Sequence, residues 1–174
     1  FVLWYLIFSQ TKPLVCFLAN KGKTSIEILK KVKTAYENIP HWLQHGVIEW
    51  NKGSIELENG SRAVAEATSS DSVRGYSIDF LFVDEAAFVD NWEEFWPSTL
   101  NTITSNDSTQ CVLVSTPNGL NHFHEYWVGA NNGSNDFKPI KVTWDKVPGR
   151  DLAWTQAALK AVNNDQTKFD QEHN

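Results

Sequence analysis

The sequence predicts an α/β fold, in which a largely parallel sheet is flanked by helices on both faces. Short, continuous apolar runs such as LVCFLA (14–19) and FLFV (80–83) are typical of strands that are buried on both faces. Segments whose apolar residues recur at helical spacing follow these runs along the chain. Because buried strands alternate with helices, we expect a parallel sheet that is covered by helices on both sides.

Length and composition indicate one globular domain. The chain has 174 residues, of which 41% are hydrophobic, and this is enough to bury one substantial core. The first eight residues, FVLWYLIF, are too few to span a bilayer, so no membrane segment is predicted. The sequence contains no Met and begins inside this apolar run, which leads us to expect a fragment of a longer protein.

The first elements of the chain show the predicted alternation. FVLWYLIFSQ is interpreted as the end of a buried helix, and LVCFLAN as a strand buried on both faces. KTSIEILKKVKTAYENI has apolar residues at roughly helical spacing. We expect Ser25 to cap the start of this helix and Pro40 to end it.

A hairpin and further alternating elements follow. GSIELENGSRAVAEAT alternates as two paired strands do, and Asn59-Gly60 is a favourable hairpin turn between them. Buried strands are then predicted at IDFLFVDE, QCVLVSTPNG and FKPIKVTW, and helices at NWEEFWPSTLNTI, LNHFHEYWVGANNG and most of LAWTQAALKAVNNDQTKFDQEHN.

The distribution of charge favours a cation near the middle of the chain. The formal net charge of −6 argues against a strongly basic nucleic-acid binder. Residues 75–137 contain nine acidic residues and no Lys or Arg, whereas the remainder contains twelve acidic and fifteen basic residues. This acidic block could attract a cation, but it would repel a bare phosphate unless a metal ion or a lysine lay between them.

Neither a disulfide, a zinc site nor a catalytic triad is indicated. Cys16 and Cys111 lie inside apolar runs, which favours buried thiols in a reduced compartment. His122 and His124 have no cysteine or further histidine at zinc-binding spacing. No Gly-x-Ser-x-Gly motif occurs, and no cysteine has a plausible histidine partner.

Sheets of the predicted kind bind ligands beyond the carboxyl ends of their strands. Four loops lie at such ends in this sequence: NKGKTS, DEAAF, STPNG and the loop before residue 145.

The pair Asp84 and Glu85 is the first candidate for chemistry. Adjacent residues that leave a strand point to different sides, so one carboxylate can hold Mg²⁺ while the other orients an attacking water. A hydrophobic strand followed by Asp and Glu is the pattern of the Walker B element of many ATPases. The alternative is a pair of solvated carboxylates that cap the next helix.

Two further features could contact phosphate. The hydroxyl and amide groups of STPNG (115–119) could sense a γ-phosphate, although the same residues favour an ordinary turn. Arg74 lies in a loop rich in Ser and Gly and suits a phosphate contact or an arginine finger. A surface salt bridge from Arg74 to Asp71 or Asp79 is equally compatible with the sequence.

The segment GKTS (22–25) resembles the end of a phosphate-binding P-loop. The full motif requires Gly at position 17, where this chain has Phe17. We therefore interpret GKTS as a basic turn between a strand and a helix. Lys21 and Lys23 could still contact the phosphates of a nucleic acid.

Five stretches of the chain, taken in order, closely resemble the ATPase domain of the large terminase subunit of tailed bacteriophages. They are ANKGKTS, EWNKGSIELENGS, DSVRGYSIDFLFVDEAAF, STPNGLNHFHEYW and QEH. The resemblance covers nearly the whole chain. It implies a P-loop NTPase fold of the ASCE/RecA-like type and a motor that uses ATP hydrolysis to move double-stranded DNA into a capsid.

The resemblance also implies roles for individual residues. Asp84 corresponds to the family's Mg²⁺-coordinating aspartate, and Glu85 to the glutamate that activates water against the γ-phosphate of ATP. Arg74 matches an arginine near the nucleotide, which could act within one subunit or on its neighbour. The resemblance implies that a coupling motif, which links hydrolysis to movement, consists of Ser115, Thr116, Pro117, Asn118 and Gly119. Within it, Ser115, Thr116 and Asn118 are expected to contact the nucleotide.

The family also has parts that this chain lacks. Its P-loop would lie a few residues upstream of Phe1, and a nuclease domain would follow the C-terminal end. We therefore expect residues 1–174 to be part of the ATPase (motor) domain and to be inactive alone. The expected partners are double-stranded DNA, a portal protein, a small terminase subunit and further copies in a ring, all in the host cytoplasm during virion assembly.

Two alternatives remain open from the sequence. A superfamily 2 helicase-type DNA motor shares the strand that ends in Asp-Glu, but its parent would carry a second RecA-like domain instead of a nuclease. A non-catalytic DNA-binding or assembly module could keep the fold without binding Mg²⁺ and nucleotide.

Overall fold

The computed structural model describes residues 1–69, 72–104 and 108–173, in two compact units, Phe1–Val114 and Ser115–Asn174. The strands, all in the first unit, are β1 (Leu14–Ala19), β2 (Val47–Trp50), β3 (Ser54–Leu57), β4 (Arg62–Ala67), β5 (Phe80–Asp84) and β6 (Gln110–Leu113). The helices of the first unit are α1 (Val2–Phe8), α2 (Gly22–Asn38) and α3 (Trp92–Ile103). Those of the second unit are α4 (His122–Asn132), α5 (Leu152–Ala161) and α6 (Gln166–His173).

The six strands form one mixed sheet with the order β2-β3-β4-β1-β5-β6. The neighbouring strands β4, β1, β5 and β6 run parallel, whereas β3 is antiparallel to both β2 and β4. Parallel pairing brings the carboxyl ends of β1, β4, β5 and β6 to one edge of the sheet. The predicted α/β fold with a largely parallel sheet is confirmed.

Strand β1 lies inside the sheet and is buried on both faces. It pairs with β4 on one side and with β5 on the other. Val15 and Phe17 point to one face of the sheet, and Cys16 and Leu18 point to the other. All four are at most 2% exposed, which means that both faces are covered. The continuous apolar run in the sequence predicted this arrangement.

Helices α1 and α2 cover one face of the sheet. Leu6 of α1 and Leu29 and Tyr36 of α2 belong to the same buried cluster as Val15 and Phe17 of β1. Each large apolar side chain buried in this way contributes about 1.5–3 kcal/mol relative to full exposure. The packing of these two helices therefore fixes the position of β1 and of the strands beside it.

The hairpin between β3 and β4 forms where the Asn59-Gly60 turn predicts it. Gly60 has a φ of +84°, which a residue without a Cβ adopts readily. The next strand outward, β2, was not predicted. Val47, Ile48 and Trp50 of β2 are exposed, so this strand lacks the buried apolar pattern that marks the others.

Three local predictions were wrong. Helix α2 begins at Gly22 with Lys21 as its N-cap, and the buried Ser25 hydroxyl donates to the Gly22 carbonyl at 3.0 Å instead of capping the helix. Residues 137–143 form no strand, and the described part of their unit contains no strand for them to pair with. Strand β6 is half-exposed, because it is the outermost described strand on its side of the sheet.

Both thiols are free. Cys16 is buried in β1, as the sequence predicts, whereas Cys111 is half-buried in β6. Burial raises the pKa of each thiol to about 12, and the negative charge of Glu66 adds to the effect at Cys16. Both therefore stay protonated near neutral pH and are poor nucleophiles.

An aromatic cluster joins the last two helices of the second unit. The ring of Trp154 in α5 lies 6.4 Å from that of Phe169 and 5.1 Å from that of His173, both in α6. The guanidinium of Arg150 lies 4.5 Å from the centre of the Trp154 ring, within range of a cation–π interaction. Across the described residues of both units, no helix has the length and apolar character needed to cross a membrane.

Lys33 of α2 connects the helix to the β2–β3 hairpin. It is 8% exposed, and its ammonium donates hydrogen bonds to the carbonyls of Asn51 and Ser54. The same ammonium lies 5.0 Å from the centre of the Trp50 ring. Burial lowers the pKa of Lys33, and the Glu49 carboxylate partly opposes this change. The lysine therefore joins α2 to the end of β2, the edge strand that the sequence did not predict.

We expect Lys33→Met to lower the free energy of unfolding by about 1–3 kcal/mol, because the Asn51 and Ser54 carbonyls lose a charged donor. Urea denaturation monitored by tryptophan fluorescence would measure this change. Lys30→Met is the matched control, because Lys30 lies on the exposed side of the same helix. An equal effect of the two substitutions would contradict the role given to Lys33.

Candidate functional site

Strand β5 delivers Asp84 and Glu85 to the carboxyl edge of the sheet. Asp84 is the last residue of β5 and pairs with Ala19, the last residue of β1. Asp84 is half-buried, whereas Glu85 follows the strand and is exposed to solvent. The two carboxylates therefore lie at the edge where open α/β sheets bind their ligands, as the sequence predicted.

The backbone at Glu85 is in the left-handed region, with φ 51° and ψ 39°. This conformation costs a residue with a Cβ about 1–2 kcal/mol. The amide of Glu85 donates to Oδ1 of Asp84 at 3.0 Å. This bond to Asp84 stabilises the turn in which the backbone of Glu85 leaves the direction of the strand. Strained residues of this kind concentrate at functional sites.

The carboxylates are available to a ligand. In the described parts of the chain, neither Asp84 nor Glu85 forms an ion pair, and the carboxylate of Glu85 has no hydrogen-bond partner. Groups of three or more potential metal ligands are likewise absent among the described residues. This donor set fits Mg²⁺, which proteins commonly hold through one or two carboxylates while phosphates and water complete its shell.

The segment GKTS forms the first turn of α2. Phe17 lies within β1, and only Asn20 and Lys21 separate that strand from the helix. A P-loop needs a longer glycine-containing loop at this point, which agrees with the interpretation of GKTS as a strand-to-helix turn. Lys21 and Lys23 are exposed where α2 begins.

Arg74 lies beside α3 in the structure. Its side chain is exposed, and its Nε donates to the Ser98 hydroxyl at 3.3 Å. No ion pair joins Arg74 to Asp84 or Glu85 within the described residues. Of the alternative partners, Asp79 accepts the amide of Leu14 at 2.8 Å, and Asp71 lies outside the described residues.

Ser115, Thr116 and Asn118 belong to the second unit, where they lie in the segment before α4. Ser115 and Thr116 are half-buried, and Asn118 is exposed. The carbonyl of Pro117 accepts a hydrogen bond from the Gln171 side chain at 3.0 Å. Gly119 has a φ of +69°, which suits the turn that the sequence predicts here.

Sequence reasoning missed two features near these residues. One is the left-handed backbone of Glu85, for which no signal exists because Glu rarely adopts it. The other is Asn121, whose side-chain oxygen accepts the amides of Phe123 and His124 and so caps α4. An Asn immediately before a helical segment is a recognisable signal for such a cap.

Comparison with known proteins identifies the family of the chain. The family model described as the N-terminal part of the T4likevirus-type terminase large subunit matches residues 1–173. The terminase large subunit of Escherichia phage T5 is 32% identical over 111 residues, which are 63% of this chain and 25% of that protein. That of Thermus virus P23-45 is 31% identical over 99 residues, 48% of this chain and 20% of that protein. The chain thus spans a quarter or less of these relatives.

Solved structures share the fold. The large terminase ATPase domain of Thermus phage P74-26 has a TM-score of 0.62 at 19% identity, covering 99% of this chain and 79% of that domain. The large terminase of bacteriophage HK97 has a TM-score of 0.70 at 13% identity, covering 98% of this chain and 40% of that protein. A large terminase from a thermophilic bacteriophage, solved in complex with ADP, has a TM-score of 0.63 at 13% identity, covering 91% and 40%.

The match over residues 1–173 and the shared fold lead to one conclusion. The chain belongs to the terminase large subunit family and corresponds to the N-terminal part described by that family model.

Proposed function

We propose that Asp84 and Glu85 are part of the ATP-hydrolysis site of a viral DNA-packaging motor. The observation that carries this proposal is the pair of carboxylates at the carboxyl edge of the sheet, with Glu85 in a strained backbone conformation and unpartnered among the described residues. Membership of the terminase large subunit family and the fold shared with an ADP-bound large terminase support it.

The two carboxylates have different tasks in this proposal. Asp84 is half-buried and already accepts the Glu85 amide, so it is suited to hold Mg²⁺ directly or through water. When bound, Mg²⁺ would neutralise charge on the phosphate oxygens. Glu85 is exposed and free to rotate, so it is suited to orient a water and accept its proton during attack on the γ-phosphate.

The proposed motor extends beyond these residues. Residues 1–174 would form part of the motor domain, with a P-loop contributed by chain upstream and a nuclease domain downstream. The positive charge that phosphoryl transfer requires beside the carboxylates would then come from the lysine of that loop. Ser115, Thr116 and Asn118 would respond to the loss of the γ-phosphate and couple it to movement.

The partners of the motor follow from the same proposal. Double-stranded DNA would be held through its phosphates without sequence preference, so binding should weaken steeply as salt rises. The exposed Lys21 and Lys23 are candidates for such contacts. A portal protein, a small terminase subunit and further copies of the motor in a ring would complete the machine in the host cytoplasm.

Replacing the water-orienting carboxylate tests the proposal directly. We expect the chain alone to show no ATP hydrolysis. A longer protein in which a P-loop precedes the chain, called the loop-extended protein, should hydrolyse ATP with Mg²⁺. In the loop-extended protein, Glu85→Gln should lower the hydrolysis rate at least roughly a hundredfold, because general base catalysis is lost. ATP affinity should stay within about twofold, because the amide keeps the shape of the side chain.

Steady-state phosphate release and equilibrium nucleotide binding would measure both quantities. Glu94→Gln is the matched control, because Glu94 is an exposed glutamate in the first turn of α3. Unchanged turnover in Glu85→Gln would remove Glu85 from the base role. Glu85-dependent hydrolysis by the chain alone would disprove the expectation that it is incomplete.

The strain at Glu85 predicts a conflict between stability and activity. Glu85→Gly should raise the free energy of unfolding by about 0.5–1 kcal/mol, because relief of the left-handed strain exceeds the entropic cost of glycine. The same change should abolish hydrolysis in the loop-extended protein. Thermal or urea denaturation of the chain would measure the stability.

Lys12→Gly is the control for this prediction. Lys12 also has a left-handed backbone, with φ 54°, at the amino-terminal approach to β1. Its replacement should stabilise the fold by a similar amount without lowering hydrolysis. A loss of stability in Glu85→Gly would show that the Glu85 side chain contributes more to folding than its backbone costs.

Arg74 is proposed to contact the nucleotide, in its own subunit or in a neighbour. Arg74→Ala should then lower hydrolysis by the loop-extended protein by roughly a thousandfold, the scale of an arginine finger. Ser98→Ala is the control, because it removes the hydroxyl to which Nε of Arg74 donates and keeps the arginine. If Arg74 acts on a neighbour, mixing the Arg74→Ala and Glu85→Gln proteins should restore part of the activity. A change within about twofold in Arg74→Ala would identify a surface residue instead.

A further inference from the structure

The hydrogen bonds between β5 and β6 change at the point where Asp84 and Glu85 leave the sheet. The two strands are paired in parallel register from Phe80 opposite Gln110 to Val83 opposite Leu113. The amide of Val114 continues this ladder by donating to the Val83 carbonyl at 2.9 Å. In an uninterrupted parallel ladder, the Val114 carbonyl would next accept the amide of residue 85.

The structure shows a different bond at this step. The Val114 carbonyl accepts the amide of Ala86, at 3.0 Å, so the ladder passes over one residue. The amide that is passed over, that of Glu85, donates to Oδ1 of Asp84 instead. One extra residue in one strand is the definition of a β-bulge, and bulges next to active sites redirect side chains.

The left-handed backbone of Glu85 is the means by which the extra residue is accommodated. With φ 51° and ψ 39°, Glu85 leaves the direction of the strand, and Ala86 returns to bond with Val114. Ala86 is fully buried and Glu85 is exposed. The buried Ala86 therefore anchors the bulge through its bond to Val114, and Glu85 exposes its carboxylate to solvent.

We propose that the backbone bond from Ala86 to Val114 is a positioning contact for the catalytic Glu85. It holds the bulge closed and sets the place of the carboxylate beyond the end of β5. The inference rests on the proposed function, because it assigns the bond a role in the reaction that Glu85 performs.

The same bond gives residue 114 a connection to the catalytic turn. Val114 is the residue directly before Ser115, where the predicted coupling segment begins. A displacement of the Val114 carbonyl along β6 would pull or release the Ala86 amide and so move Glu85. Positioning of this kind is sensitive, since a misplacement of about 1 Å in a reacting geometry can cost on the order of a hundredfold in rate.

The test removes the amide of Ala86 without changing its side chain. Lactic acid incorporated in place of Ala86 during translation gives an ester bond, which keeps the methyl group and lacks the N–H. The matched control is lactic acid in place of Ala65, a buried alanine of β4 whose amide donates to the Gly53 carbonyl at 2.8 Å. Each variant loses one backbone hydrogen bond whose donor residue is buried.

The first measurement is independent of activity. In the 174-residue chain, the chemical shift of Glu85 Cβ, which is not bonded to the new ester carbonyl, and the coupling between the amide and α protons of Glu85 report its backbone region. We expect both quantities to move from left-handed toward extended values in the Ala86 ester and to stay unchanged in the Ala65 ester. Left-handed values of both quantities in the Ala86 ester would overturn the proposal, because the bulge would then persist without the bond.

The second measurement separates positioning from general destabilisation. In the loop-extended protein, the Ala86 ester should lower the rate of ATP hydrolysis roughly tenfold to a hundredfold with ATP affinity nearly unchanged. The Ala65 ester should leave both nearly unchanged. Equal hydrolysis by the two esters, or a parallel loss of affinity and rate, would overturn the positioning role. Two other results would instead contradict the proposed function: unchanged hydrolysis in Glu85→Gln, or no ATP hydrolysis by the unsubstituted loop-extended protein.

Discussion

The parallel pairing of β1 with both β4 and β5 is the constraint on which the rest of the structure depends. It aligns the carboxyl ends of the strands, so that Ala19 and Asp84 finish side by side. This pairing is stable because β1 is apolar on both faces and both faces are covered. An error in its register by one residue would move every side chain of β1 to the opposite face of the sheet, where it would meet different neighbours. The position of the candidate site is therefore decided by the core and not by the carboxylates themselves.

The carboxylates add a cost that the core must offset. A left-handed glutamate beside an aspartate combines backbone strain with the proximity of two negative charges. The hydrogen bond from the Glu85 amide to Asp84 and that from Ala86 to Val114 hold this arrangement against the strain. A chain selected only for stability would have glycine at position 85, which fits the proposal that Glu85 is retained for chemistry.

Much of the fold can be predicted because its signals are local. The apolar run of β1 predicts a strand buried on both faces, and Asn59-Gly60 predicts the hairpin turn. The sequence also predicts that Asp84 and Glu85 lie where a buried strand ends, and β5 places them there. Phe17 excludes a P-loop at GKTS because that motif requires Gly at this position, and the structure places Phe17 inside β1.

The remaining features depend on what each segment packs against. Residues 137–143 have the composition of a strand, but a strand needs a neighbour, and the described second unit contains none. Strand β2 is exposed and is recognised only by its pairing with β3. The bulge at Glu85 arises from the register between β5 and β6, and the position of Arg74 beside α3 arises from tertiary packing. Neither leaves a pattern in the sequence.

In the proposed function, the carboxyl end of β5 would bind the metal of a bound nucleotide. The most direct test replaces Mg²⁺ with paramagnetic Mn²⁺ in the loop-extended protein with a non-hydrolysable ATP analogue, and measures the broadening of backbone NMR signals. We expect strong broadening at residues 84–86 that is lost in Asp84→Asn. Little broadening is expected at Asp79, which lies just before the opposite end of β5. Broadening centred elsewhere, or unaffected by Asp84→Asn, would contradict it.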